Sequence, residues 1–188
     1  MNTIYLVRHG ENTANLTKEF SYKLVDYPLT DKGIVQAQQT AAYFQGKDID
    51  EIFTSPLKRA VQTAEIIGAA LGLKAIVVEQ FREVNVGLLE QRPPDAQAWS
   101  IYGRVMSDWR QGKHDTAFPE GEDYVTLLKR FRSGLHEITR GKSQKNIIVV
   151  GHGGIFMATI QAICPHIERG TLTNDAHNCS ISEITMDA

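Results

Sequence analysis

Cysteine is scarce in this sequence of 188 residues, confined to Cys164 and Cys179. Two thiols without metal-ligand spacing exclude a zinc module, and so low a density excludes a disulfide-built secreted scaffold. Reduced thiols and a cytoplasmic location are therefore expected. Long apolar runs are missing as well. The first, Ile4-Tyr5-Leu6-Val7, stops at Arg8, far short of a signal-peptide core or of the about 20 residues of a membrane span. No membrane association is expected. Charge of one sign is also absent: 20 Lys and Arg against 22 Asp and Glu leave a net charge of -2. Without a basic stripe, a nucleic-acid partner is not expected. There is no Gly-x-x-x-x-Gly-Lys-Ser/Thr, which disfavours a nucleotide-dependent kinase, and no His-Glu-x-x-His, which disfavours a zinc hydrolase. No internal repeat, low-complexity tract or linker interrupts the chain. What remains is an ordinary globular composition, 42% hydrophobic and 22% charged, with chain enough for a sizeable core and one domain over 1–188.

Short apolar runs alternate with longer periodic segments, the pattern of a layered α/β domain. Thr3–Val7 reads as a strand, followed by a loop rich in Asn, Lys and Tyr up to Pro28. Thr30 is an N-cap for a helix over 31–45, with Ile34, Ala37, Ala41 and Phe44 on one face. Strand 51–54 leads to Ser55-Pro56, read as N-cap and first helical position of a helix that Gly72 stops. Residues 74–79 form a third strand. The pattern loosens from Phe81 to Gly121, where a short helix around 95–110 is expected within loop. A helix begins near Val125 and ends near Gly141. Strand 146–150, the most apolar, should lie at the centre. An apolar helix stopped by Pro165 and a last strand over 179–186 complete the chain.

Two of these strands end alike. The first runs into Arg8-His9-Gly10, and the apolar one into Gly151-His152-Gly153. In an open α/β sheet, ligands collect beyond the carboxyl ends of the strands. Glycine beside each histidine permits a sharp turn or a close approach of backbone to ligand. Arg59 lies in the first turn of a helix after another strand, where unpaired N–H groups already favour an anion. Two arginines, two histidines and helix N-termini on one rim describe a phosphate site.

The motifs LVRHGENTAN, Pro28-Leu29-Thr30 with Gly33, Gln36 and Ala37, TSPLKRAVQTAE, FREVNVGLLEQ, VVGHGG and Asn178-Cys179-Ser180-Ile181 occur in the order found in the histidine phosphatase superfamily, also called phosphoglycerate mutase-like, and the chain resembles that family over nearly its whole length. The resemblance implies a three-layer α/β/α sandwich with a mostly parallel sheet and a lid insertion at about 85–120. It implies catalysis through a phosphohistidine on His9, with Arg8, Arg59, Glu83 and His152 as the core set. Asn15 and Gly153 join Arg8, Arg59 and His152 as phosphate contacts. Physical chemistry asks for the same parts. His9 must be neutral to attack phosphorus, and nearby Arg8 and Arg59 disfavour the imidazolium. Glu83 is placed to protonate the departing alkoxide and then to activate water. Gly10 is expected to leave room for the ligand.

Three departures from the family pattern stand out: Asn12 where Ser or Thr is common, Leu89-Glu90-Gln91 for Trp-Glu-Gly, and Met157 where arginine often stands. A metal-independent phosphatase acting on a small phosphomonoester is favoured, without cofactor or metal. A cofactor-dependent phosphoglycerate mutase is the alternative, disfavoured because no Arg-His-Tyr-Gly-type segment lies between Glu83 and His152. A non-catalytic phospho-ligand binding protein is the third reading. His114, His136, His166 and His177 read as surface or structural. Substrate choice is expected to reside in 85–120, where Trp99, Tyr102, Trp109 and Phe118 suggest an apolar or aromatic partner. A homo-oligomer stays open.

Overall fold

The computed structural model describes residues 1–164 and 177–187. Five strands are described: β1 (Asn2–Arg8), β2 (Glu51–Thr54), β3 (Ala75–Val77), β4 (Asn146–Gly151) and β5 (Ile181–Met186). They form one sheet in the order β3-β2-β4-β1-β5. β1 to β4 run parallel, and β5 pairs antiparallel with β1. As its composition predicts, β4 is central, with Ile147, Ile148, Val149 and Val150 fully buried because both faces of the strand are covered.

Side chains alternate across the sheet, so each strand feeds two cores. Tyr5, Val7, Ile52, Ile148 and Val150 pack with α2 (Asp31–Phe44) and α3 (Lys58–Leu71). On the other face, Ile4, Leu6, Phe53, Ile147 and Val149 pack with α4 (Ala96–Arg110), α5 (Tyr124–Thr139) and α6 (Gly153–Ile163). This is the expected three-layer α/β/α arrangement. Caps define the helices as the sequence indicates: Thr30 Oγ1 accepts from Gly33 N at 3.1 Å, and Gly72 ends α3 at a φ of 70°.

Three local expectations need correction. The segment after β1 holds a short helix, α1 (Thr13–Thr17), which Asn12 and Asn15 close in a reciprocal capping box. Ser55 is not the N-cap of α3; Leu57 holds that position, and Ser55 is buried with its hydroxyl turned elsewhere. The third strand covers only 75–77 before a 3₁₀ turn at Glu79–Phe81, as suits an edge strand with Ile76 and Val77 exposed. Pro165 and His166 lie outside the described residues.

Candidate active site

Register brings the strand ends together. β1 and β4 pair with Arg8 opposite Gly151, and His9 N donates to Gly151 O at 3.0 Å. On the other side of β4, Ser55 N donates to Val150 O at 2.9 Å. Parallel strands in this register finish at one level, so His9, His152 and Ser55 leave the same rim. The imidazoles of His9 and His152 are both buried, with ring centroids 5.2 Å apart.

The protons on His9 follow from its partners. Nδ1 lies 2.7 Å from Gly10 O. A carbonyl only accepts, so Nδ1 carries the hydrogen. Arg59 Nε donates to Nε2 at 3.0 Å. A guanidinium only donates, so Nε2 offers a lone pair. Burial, and then the positive charges of Arg59 and Arg8, hold this imidazole well below its usual 6.5. Gly10 does not leave room for a ligand. A Cβ there would meet Gly33 O at 2.5 Å, so the missing side chain lets the start of α2 pack under the nucleophile loop.

Arg59 is buried from the first turn of α3. Burial pushes its guanidinium down to about 10, which leaves it charged at neutral pH. Nη1 and Nη2 donate to Ser21 Oγ and Ser21 O at 2.7 and 2.9 Å. The loop that follows Ser21 is held by Glu90, whose Oε1 accepts from the backbone N–H of Tyr22, Lys23, Leu24 and Val25 at 2.6, 2.7, 2.9 and 3.0 Å. The Glu90 carboxylate thus shapes the loop that aligns the arginine.

His152 Nε2 lies 2.7 Å from Ser55 Oγ, and that oxygen accepts from Leu57 N at 3.3 Å. A hydroxyl has one hydrogen and two lone pairs, so this contact is compatible with either neutral tautomer of His152. Among the described residues the buried Nδ1 of His152 has no partner. An unmet buried polar atom costs about 1–3 kcal/mol, and in the tautomer with its hydrogen on Nδ1 that atom calls for an oxygen acceptor. Burial first, then Arg59, holds His152 well below its usual value as well.

Glu83 sits at the N-terminus of α6. Oε1 accepts from Ile155 N and Val84 N, both at 2.8 Å, and Oε2 from Gly154 N at 3.0 Å. A carboxylate has about four lone-pair sites, so one on Oε2 remains for a travelling proton. Gly154 is required by this arrangement, because a Cβ there would lie 2.7 Å from Glu83 Oε1. Behind Glu83, Arg130 on α5 donates to the carbonyls of Gln80, Arg82 and Glu83 at 2.8, 2.8 and 2.9 Å. Its Nη2 pairs with Glu122 at 2.7 Å, and Glu122 accepts from Asn85 N, also at 2.7 Å.

Arg8, His9, Asn15, Arg59, Glu83 and Gly153 line one cavity of about 730 Å³. His152 lies against His9, buried behind this surface. Asn15 Oδ1 accepts from Asn12 N and Asn178 Nδ2, both at 3.1 Å, which leaves Nδ2 as the end of the amide available to donate. Trp99, Tyr102, Met106 and Arg110 of α4 line the same cavity. Phe20, Trp99, Tyr102 and Phe118 form a chain of ring contacts at 4.6 to 5.6 Å between centroids. His177, expected to be merely a surface or structural residue, also lines the cavity. His114 is exposed and stacks on Tyr124, and His136 is exposed on α5. Sequence reasoning missed Ser21, Glu90, Glu122 and Arg130, whose roles depend on partners distant in the chain. For Glu90, the acidic residue retained within Leu89-Glu90-Gln91 was the available signal.

Sheet order, strand-tip histidines and paired arginines define a phosphoryl-handling enzyme, and comparison with known proteins gives its class. The chain belongs to the histidine phosphatase superfamily (branch 1), whose family model matches residues 4–188. It is a histidine phosphatase by that membership. A probable phosphoglycerate mutase GpmB of Yersinia enterocolitica is 33% identical over 98% of this chain and 85% of that protein. A putative alpha-ribazole-5'-P phosphatase of Escherichia coli is 26% identical, with a TM-score of 0.71 over 86% of this chain and 78% of that one. YhfR of Bacillus stearothermophilus shares the fold at a TM-score of 0.82, with 23% identity, over 100% of this chain and 92% of its own.

Proposed function

We propose that the chain hydrolyses a small phosphomonoester by way of a phosphohistidine on His9, without a metal ion. The observation that carries this reading is the neutral His9, with its hydrogen fixed on Nδ1 and its Nε2 lone pair directed at Arg59. A phosphate entering the cavity replaces that contact. Arg8 and Arg59 neutralise its oxygens, the Asn15 amide donates to them, and His152 donates from behind the cavity surface through the tautomer that carries its hydrogen on Nδ1. Nε2 attacks phosphorus, the P–O bond to the alcohol breaks, and Glu83 gives its proton to the departing oxygen. Glu83, now a carboxylate, takes a proton from water. The resulting hydroxide oxygen attacks phosphorus, breaks the P–N bond and releases inorganic phosphate. Charge stabilisation of this kind is worth about 10²–10³ in rate per lost donor, and the acid–base residue about 10²–10⁴. Two guanidiniums beside the histidines repel a cation, which supports turnover indifferent to EDTA.

The aromatic and methionine wall of the lid supports an ester with an apolar or aromatic part. The name of the Yersinia relative, a probable phosphoglycerate mutase, favours a second reading, transfer between the carbons of phosphoglycerate. Incubating the purified protein with a panel of sugar phosphates, nucleotides, phosphoglycerates and aryl phosphates separates the two. The hydrolase reading expects inorganic phosphate from an aryl or related ester. Faster phosphoryl exchange on phosphoglycerate than phosphate release from any ester would replace it with the mutase reading.

A further inference from the structure

A second cavity, of about 340 Å³, adjoins the catalytic one. Met106, Arg110 and Met157 line both, so the two spaces share a wall of long, adaptable side chains. The second cavity is otherwise walled by Trp109 and Tyr124, with ring centroids 5.7 Å apart, by His114 stacked on Tyr124 at 4.4 Å, and by Ala158 and Ala162 of α6. These walls are held in place. Trp109 Nε1 donates to Thr116 O at 2.6 Å, and Lys113 ties the end of α4 to Asp108 at 2.8 Å. Arg110 itself has no ion pair among the described residues, and its side chain belongs to the lining that the two spaces share.

We propose that the second cavity receives the far end of the leaving group, and that this end is a planar aromatic or heteroaromatic ring carried on a spacer from the phosphorylated oxygen. The proposal deepens the hydrolase reading and rests on it. The volume falls within the range of small-ligand pockets, about 300–1,000 Å³. Thioethers make favourable contacts with aromatic rings, and a guanidinium stacks on a planar ring while donating to any acceptor at its edge. Met157 is central to this chemistry. The arginine common in the family at this position would put a second charge between the cavities, whereas the thioether joins them as one apolar path. Binding energy from a remote ring acts on the reacting end only if the ring and the phosphate are bound together.

The test uses ω-phenylalkyl phosphates of increasing spacer length, each paired with the alkyl phosphate of the same spacer. The phenyl group is expected to raise kcat/KM by at least about tenfold, equivalent to about 1.4 kcal/mol, at one spacer length and less at shorter ones. Filling the second cavity with Ala158→Phe, or from its exposed rim with Gln161→Trp, is expected to abolish that advantage and leave the alkyl phosphates unchanged. Gln161→Trp lies on the surface of α6 and so guards against misfolding of the half-buried Ala158→Phe variant. A wild type indifferent to the phenyl group, or an advantage that survives both substitutions, overturns the subsite while leaving hydrolysis intact. If neither series is hydrolysed, the hydrolase reading falls, and the subsite with it.

Discussion

Arg59 Nε donates to His9 Nε2 at 3.0 Å, so the buried guanidinium caps the nucleophile's lone pair. Together with the Nδ1 contact to Gly10 O, it selects one neutral tautomer. In ¹⁵N-resolved NMR at neutral pH, His9 should show a protonated Nδ1 and a bare Nε2. Arg59→Lys substitutes a single charged point for a planar fork that also engages Ser21. It should cost about 10²–10³ in kcat. An imidazolium at neutral pH, or a lysine variant of full activity, contradicts this arrangement.

The buried histidines also predict how stability responds to pH. Both are held well below 6.5 in the folded protein, while an unfolded chain titrates near about 6.5. Between the folded and unfolded values the unfolded state binds more protons. Stability is therefore full above about pH 6.5 and falls as pH drops through the unfolded value, by up to about 1.4 kcal/mol per pH unit for each histidine. Urea unfolding between pH 7 and pH 5 reads this slope. Replacing His9 with Asn should flatten it by one proton, and identical slopes would show that His9 does not contribute.

Gly154 has no space for a methyl group beside Glu83, since the Cβ would fall 2.7 Å from Oε1. Gly154→Ala should thus displace the carboxylate and lower kcat by about 10²–10⁴, the full worth of a general acid. A substrate with an activated leaving group such as p-nitrophenol should recover most of the first chemical step. Equal losses for activated and unactivated esters would remove Glu83 from the acid role.

Arg130 reaches the cavity only through Glu83, gripping the carbonyls of residues 80, 82 and 83. Arg130→Lys cannot reproduce that fork. The expected result is a kcat lower by at least about tenfold with KM little changed, because the phosphate cradle of Arg8 and Arg59 is untouched. Unfolding by urea, measured alongside, separates this effect from a loss of fold. An unchanged kcat would reduce Arg130 to a structural tie.

Legibility in the sequence followed locality. His9 and His152 stand at the ends of short apolar strands and beside glycine, so adjacent residues alone announced them. Arg59 followed from the helix start after β2. Glu83 carries no local signature, and its proposed role came from family resemblance; the structure adds three backbone N–H donors and the α6 terminus, which no spacing rule encodes. Ser55 was misread as a cap because Ser-Pro at a helix start is a strong local pattern, yet the hydroxyl is drawn to His152, 97 positions away. The Arg130–Glu122 pair was invisible for the same reason, and the one signal for Glu90, its place in Leu89-Glu90-Gln91, does not show which loop it holds. α1 was overlooked because five residues are too few for a hydrophobic period.

The most direct measurement is rapid acid-free quench of the enzyme during turnover of p-nitrophenyl phosphate, followed by peptide mass spectrometry. Addition of one phosphoryl group to the peptide bearing His9, appearing and decaying at rates that match turnover and absent from His9→Ala, is the predicted outcome. Steady hydrolysis with no such adduct, or a His9→Ala variant as fast as the parent, would contradict the account.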